Sequence, residues 1–314
     1  MVWLWIVIAA VVVVFFAVVL VAANKIFDVA VNAGKTKEKV LKTNANKQDA
    51  PEEQDEKARA RQWLGAQDFV MHEQRAFDGL RLVARELRAE QQTDLWVVCI
   101  HGFSGSGLNL GVAAKHWHDR GYHVLLPDLR GSGDSEGEYY GMGWLDRLDI
   151  IQWIKGVILK KDPGARIVLH GVSMGAATVM MTTGAQLPTN VRAAIEDCGY
   201  TSVWDEFTIQ LKKVFHLPQF PIMHIANGMA KRRAGYSFKE ASSVAQVKRS
   251  KTPTLFIHGD ADTFVPFFML DEVYGAAACE KEKLVVHGAQ HGESVTLEPA
   301  LYWGTAEAFI EKYL

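Results

Sequence analysis

The feature that most narrows the fold is a set of six short runs that are apolar throughout and end in Gly, Asp or His. They read "DLWVVCIHG", "YHVLLPDLRG", "ARIVLHGVS", "VRAAIEDCG", "TPTLFIHGD" and "KEKLVVHGAQH". A strand with one wet face alternates polar and apolar residues, so strands that do not alternate must be covered on both faces. Segments of helical character at 107–120, 143–160, 174–186, 266–278 and 296–313 lie between or after these runs and can supply the cover. Upstream, "DFVMHEQRAFDGLRLVARELRA" reads as two more strands joined by a turn at Asp78-Gly79. The expectation is a doubly wound α/β domain of about eight mostly parallel strands with helices on both faces. In such sheets ligands bind beyond the C-terminal strand ends, where the polar motifs of this chain fall.

One motif poses a local problem. In "RIVLHGVSMGAATVMM" a single serine, Ser173, stands between Gly171 and Gly175 where a strand should become a helix. A residue on so sharp a turn has unfavourable dihedrals. Side chains two positions before and after it would collide, and glycine removes both Cβ atoms. The hydroxyl then stands clear of the sheet, with the amide of Met174 at a helix N-terminus beside it. Such a match also arises by chance, so its context decides. Here "CIHGFSGSG" can offer the amide of Phe103 from a strand end, "HGDADTFVP" places Asp260 and Asp262 after another, and "LVVHGAQHGES" places His291 after the last. The order serine, acid, histidine is that of one hydrolase architecture. Asp197, in "AAIEDCGY", is the rival acid from an earlier strand.

Taken together, His101-Gly102-Phe103, "PDLRGSGDSEG", "GVSMG", "EDCGYTS", "HGDADTFVP" and "GAQHGES" resemble the α/β-hydrolase superfamily from about residue 66 onward. The nearest likeness is to membrane-anchored bacterial serine hydrolases of the dienelactone-hydrolase and serine-aminopeptidase type. That resemblance implies Ser173 as nucleophile, His291 as base, Asp262 as acid, and the Phe103 and Met174 amides as oxyanion hole. It implies ester or thioester hydrolysis of a small molecule through an acyl-enzyme, with no cofactor. A peptidase is the alternative and would need an acidic subsite, for which Glu196 and Glu206 are candidates. A silent binding protein would be expected to lose the nucleophile or base. A dehalogenase or epoxide hydrolase would want aspartate at position 173. His101, His258 and His287 read as structural, and Asp128 with Arg130 as turn-shaping. His116, His118 and His287 lack any zinc-ligand spacing, so no metal is expected.

The N-terminus is of another kind. Residues 1–24 carry no charged side chain and are long enough to cross a bilayer, with Trp3 and Trp5 near one end. An uncleaved single-pass anchor is the expectation, although Val21-Ala22-Ala23 would also suit a signal peptidase. Lys25, Lys35, Lys37, Lys39 and Lys42 on its C-terminal side argue for a cytoplasmic domain, and the odd set Cys99, Cys198 and Cys279 is not a disulfide framework. Neither clue fixes the side of the membrane. Residues 25–65 read as a polar linker ending in a short charged helix, and 66–314 as the hydrolase domain. Within it, 201–246 breaks the strand–helix alternation and reads as a small helical cap rich in aromatics. Such a cap suggests short to medium acyl or aromatic esters, with the anchor contributing nothing to catalysis. A net charge of −2 gives no electrostatic case for nucleic acid.

Overall fold

A computed structural model describes residues 2–34 and 51–314. Lys35, Lys37, Lys39 and Lys42, on which the orientation argument leans, lie outside the described residues, as does the linker from 35 to 50.

The strands are β1 (Val70–Arg75), β2 (Arg81–Leu87), β3 (Leu95–Ile100), β4 (His123–Pro127), β5 (Arg166–Val172), β6 (Val191–Asp197), β7 (Thr254–Gly259) and β8 (Lys281–Val286). They form one sheet in the order β1-β2-β4-β3-β5-β6-β7-β8. β1 and β2 make the expected hairpin and β2 runs antiparallel to β4, whereas β4 through β8 are parallel. The register pairs Ile100 with Gly171, Val172 with Asp197 and Gly259 with Val286. The C-terminal ends of β3, β5, β6, β7 and β8 therefore open onto the same edge.

Alternate residues of the apolar strands feed two cores. Trp96, Val98, Ile100 and Leu169 face one side of the sheet, and Val97, Cys99, Val168 and Leu255 face the other. The second core is closed by α3 (Gly111–Asp119) and α10 (Pro299–Ile310). α10 turns Tyr302, Ala306, Phe309 and Ile310 inward at helical spacing, and Pro299 in its first turn leaves no unmet amide. Burying Phe309 and Ile310 stabilises the fold by about 1.5–3 kcal/mol each. The first core is covered by α4 (Asp146–Trp153), by α5 (Met174–Thr183), and by the cap.

The cap follows β6 and consists of α6 (Val203–Phe215), α7 (Ile222–Arg233) and the short α8 (Ser243–Val247); after β7 comes α9 (Phe268–Ala276). Ser202 caps α6 by accepting from the Asp205 amide at 3.0 Å, and His216 ends it in a left-handed turn at φ +53°.

At the N-terminus, α1 (Val2–Val31) runs seven residues past the expected end of the apolar segment at 24. The reason is a second apolar stripe that follows the charged and polar interruption at Asn24 and Lys25. Ile26, Phe27 and Val31 are buried in the first core, where Phe27 meets Tyr139 and α7. Arg233 of α7 donates to Asn24 Oδ1 at 2.8 Å, and the Tyr140 amide donates to the Val31 carbonyl at 2.9 Å. Residues 25–31 are thus part of the folded body rather than linker. From Val2 to Leu20, all but Val19 are exposed. The charged helix expected before the domain is present as α2 (Pro51–Gly65).

Candidate active site

Ser173 occupies the turn from β5 into α5 with φ +58° and ψ −120°. A non-glycine residue held there costs about 1–3 kcal/mol and persists only where the surroundings enforce it. The enforcement is visible on both sides. A Cβ at Gly171 would overlap the Gly175 carbonyl, and one at Gly175 would overlap the Ile100 carbonyl at the end of β3. The Ser173 amide donates to the Asp197 carbonyl at 2.8 Å, which pins the turn to β6.

Three of the sequence-predicted residues meet here. Ser173 Oγ lies 2.8 Å from His291 Nε2, and His291 Nδ1 lies 2.7 Å from Asp262 Oδ2. Asp262 Oδ1 accepts from the amides of Phe264 and Val265 at 2.8 and 3.0 Å, so the carboxylate is aimed from behind. His258 Nε2 is 3.2 Å from Asp262 Oδ2 and 3.0 Å from the Val265 carbonyl. Both neighbours are acceptors, so this nitrogen carries the proton and donates. Burial alone would raise the Asp262 carboxyl, but the hydrogen bonds from His258 and His291 outweigh it and hold it at about 2. The two loops can meet because Gly259 has no Cβ; one there would overlap the Ala289 carbonyl.

Phe103 and Met174 border the same cavity as Ser173, Met174 as the first residue of α5. The loop carrying Phe103 is fixed by His101, whose Nδ1 is 2.7 Å from the Gly102 carbonyl and whose Nε2 accepts from the Leu129 amide at 3.0 Å. The other acids go elsewhere. Asp260 pairs with His287 at 2.7 Å and accepts from the Gly288 amide, so it serves the wrong histidine. Asp197 is buried, and burial pushes its carboxyl up to about 6 against the hydrogen bond from Tyr302. Behind Tyr302 runs a buried chain that sequence reasoning missed: its hydroxyl is 2.9 Å from His170 Nε2, and His170 Nδ1 accepts from Trp117 Nε1 at 3.0 Å. Asp128 shapes its turn, as expected, whereas Arg130 ties the turn to α4 and to Asp78. Asp128 accepts from the Gly107 and Asp134 amides, and Arg130 makes a two-pronged pair with Asp149.

The cavity at Ser173 has a volume of about 230 Å³ and an almost wholly apolar lining. A larger one of about 390 Å³ lies on the far side of the Phe103 loop, beside Lys57 and Arg61 of α2, and Ser173 is not among its lining residues. Of the two candidate subsite acids, Glu206 borders the smaller cavity, while Glu196 is buried and accepts from the Gly199 amide at 3.0 Å. Burial pushes the Glu206 carboxyl up to about 8, against a hydrogen bond from Gln210. Among the described residues, one trio of possible metal ligands lies within 4.8 Å, namely Cys198, Asp262 and His291. His291 Nδ1 and Asp262 are already bonded to each other, and burial keeps the Cys198 thiol protonated, so a cation would have to break both arrangements.

An open-edged parallel sheet with a strained serine, a histidine and an acid beyond its strand ends defines a class, and the comparisons agree with it. The fold is that of the α/β-hydrolases, and the chain resembles that superfamily. A family profile described as serine aminopeptidase, S33, matches residues 91–226. The Bacillus subtilis protein YqkD is 27% identical over 71% of this chain and 73% of its own length. The lysophosphatidylserine lipase ABHD12 of Danio rerio is 29% identical over 59% of this chain and 48% of its own length. Among solved structures, the Pyrococcus furiosus esterase Pf2001 superposes with a TM-score of 0.63 at 20% identity, over 79% of this chain and 92% of that one.

Proposed function

We propose that this protein is a membrane-anchored serine hydrolase that cleaves carboxylic ester or thioester bonds through Ser173, His291 and Asp262. The observation that carries the reading is the 2.8 Å approach of Ser173 Oγ to His291 Nε2 at a serine held at φ +58°. A serine hydroxyl is a weak nucleophile until a base takes its proton. His291 Nε2 accepts that proton as Oγ attacks the carbonyl carbon, while Asp262 fixes the imidazole tautomer and steadies the imidazolium. The amides of Phe103 and Met174 donate to the tetrahedral oxyanion; one such donor is worth about 2.7–4 kcal/mol. Collapse expels the alcohol or thiol, which takes the proton from His291 and leaves an acyl-enzyme. Water, deprotonated by the same nitrogen, then releases the acid and restores Ser173. No cofactor takes part in these steps.

The division we carry forward is an anchor at 1–24, a segment at 25–65 whose residues 25–31 pack on the folded body, and a hydrolase domain at 66–314 with its cap at about 201–246. α1 is the one described helix long and apolar enough to cross a membrane, which supports the anchor. The names of the similar esterase and lipase support an ester substrate, and the family profile's name favours a peptidase. Glu206 bears on that choice. A substrate ammonium would seek an ionised carboxylate, and burial holds this carboxyl neutral at pH 7, so we favour the ester.

Labelling washed membranes with a fluorophosphonate, then screening p-nitrophenyl esters against aminoacyl-anilides, tests the reading. Label on Ser173 and turnover of esters are expected. Faster turnover of the anilides, or label retained in Ser173→Ala, would overturn it, and release of the protein by carbonate would overturn the anchor.

A further inference from the structure

The cavity at Ser173 is not closed by the cap alone. Ile26, Val29 and Ala30 of α1 form part of its wall, opposite Val214 and Phe215 of α6. These α1 residues begin five positions after Val21, where the largely exposed apolar stretch of the same helix ends. Val29 and Ala30 are half-buried, turned toward the cavity rather than packed shut. Across from them, Val214 and Phe264 are 59% and 49% exposed although both line the cavity, so its rim on this side is apolar and open. Basic residues end the two longer cap helices. Lys212 and Lys213 end α6, and Lys231, Arg232 and Arg233 end α7, the cap helix that packs on α1. Lys213 donates to the Thr263 carbonyl beside Phe264, and Arg233 to Asn24 just before Ile26; apolar side chains with such cations beside them suit the boundary between acyl chains and headgroups.

Resting on the serine-hydrolase reading above, we infer that the substrate is an acyl ester resident in the lipid bilayer. Its acyl chain reaches Ser173 along the Ile26–Ala30 face of α1, so the anchor helix is also a wall of the substrate site. A helix that leaves the bilayer and continues straight into the cavity gives an acyl chain an apolar route that never crosses water. Transfer of each methylene into water costs about 0.8 kcal/mol, so such a route favours longer chains. The ester carbonyl stops at Ser173, where the polar groups begin, and the alcohol portion leaves past the open rim at Val214 and Phe264. This replaces the expectation drawn from the cap alone, in which chain length was limited by a shallow pocket and α1 was a passive tether.

The test uses the full-length protein reconstituted in phosphatidylcholine vesicles, with p-nitrophenyl laurate as guest ester and p-nitrophenyl acetate as the water-soluble comparison. At fixed bulk concentration, the laurate rate should follow the mole fraction of ester in the vesicle surface. A rate set by bulk concentration alone would overturn the inference, and a rate rising with protein density would point to a second copy at the rim and overturn it too. Val29→Trp should lower the laurate-to-acetate ratio of kcat/KM about tenfold or more, the range expected when an apolar pocket is shortened. Fluorophosphonate labelling of Ser173 in each variant reports whether the site is intact. An intact site with an unchanged ratio sinks the inference and leaves the serine hydrolase standing. If Val29→Trp is not labelled, Val29→Ala decides, since widening the route must move the preferred chain length upward; an unchanged chain-length profile overturns the proposal. Hydrolysis of both esters by Ser173→Ala would instead remove the reading on which it rests.

Discussion

The site at Ser173 has two sides of opposite character, the hydrogen-bonded group behind the nucleophile and the apolar cavity in front of it. One is polar and consists of strand ends, with Ser173, His291 and Asp262 joined by contacts of 2.7 and 2.8 Å and backed by amides, His258 and close-packed glycine backbone. The other is apolar and is assembled from α1, α6 and the loop at Phe264 and Val265. Directional hydrogen bonds lose most of their value when a partner moves by an ångström, whereas apolar contact scales with area. The first wall should therefore fail abruptly when altered and the second by degrees.

The sharpest way to break that contrast is to remove the nucleophile or base. Ser173→Ala and His291→Ala should each lower kcat about 10⁵–10⁶-fold, and the double variant should be no worse, because such residues act as a unit. Additive losses in ester hydrolysis assays would show that the polar wall is less coupled than its geometry. Next, Asp262→Asn should cost about 10⁴-fold by fixing the wrong imidazole tautomer, while Asp197→Asn and Asp260→Asn keep kcat within a few-fold. The reverse ranking, with all three proteins folded, would reassign the acid. On the apolar wall, Phe215→Ala should lower kcat/KM for long acyl esters by about tenfold, consistent with a loss of 1–3 kcal/mol of pocket contact. A loss as steep as that of Asp262→Asn would erase the distinction.

The smallest effect concerns stability. Asp197 sits at about 6 in the fold against an ordinary 3.8. A raised carboxyl adds stability that is complete below the unfolded value and is lost as pH rises through the folded one. Above pH 6 the native protein carries that loss, and a neutral amide avoids it. Asp197→Asn should thus raise Tm at pH 8 by about 5 °C or more, two pKa units being about 3 kcal/mol, with little change at pH 3.5. Asp262 has the opposite sign: held at about 2, its contribution is present above 3.8 and fades as pH falls through 2. Thermal melts across pH check both.

The polar wall was legible in the sequence because each part is local. Strand end, glycine and reactive side chain lie within a few residues, as in Gly171-Val172-Ser173-Met174-Gly175. Even the choice of Asp262 over Asp197 followed from which loop precedes the last strand. The apolar wall was not legible, because nothing in "KIFDVAV" says that Ile26 and Val29 will line one cavity with Phe215. That cavity draws on segments nearly two hundred positions apart and depends on the packing of α7 on α1. Charge at Lys25 and Asp28 also masked the helical spacing of Ile26, Phe27 and Val31, which turned a helix end into a supposed linker. The chain from Trp117 through His170 and Tyr302 to Asp197 was hidden for the same reason. It links four elements, and each residue alone looks like ordinary core.

Ser173 and His291 are 118 positions apart. At roughly 5–20 residues per second of ribosomal synthesis, the nucleophile exists for about 6–24 s before its base has been made. During that interval the serine turn has no imidazole partner. On the serine-hydrolase reading proposed above, the growing polypeptide would carry no activated serine over that time. The contacts that would activate Ser173 form only after β8 has paired and the loop beyond it has reached Asp262.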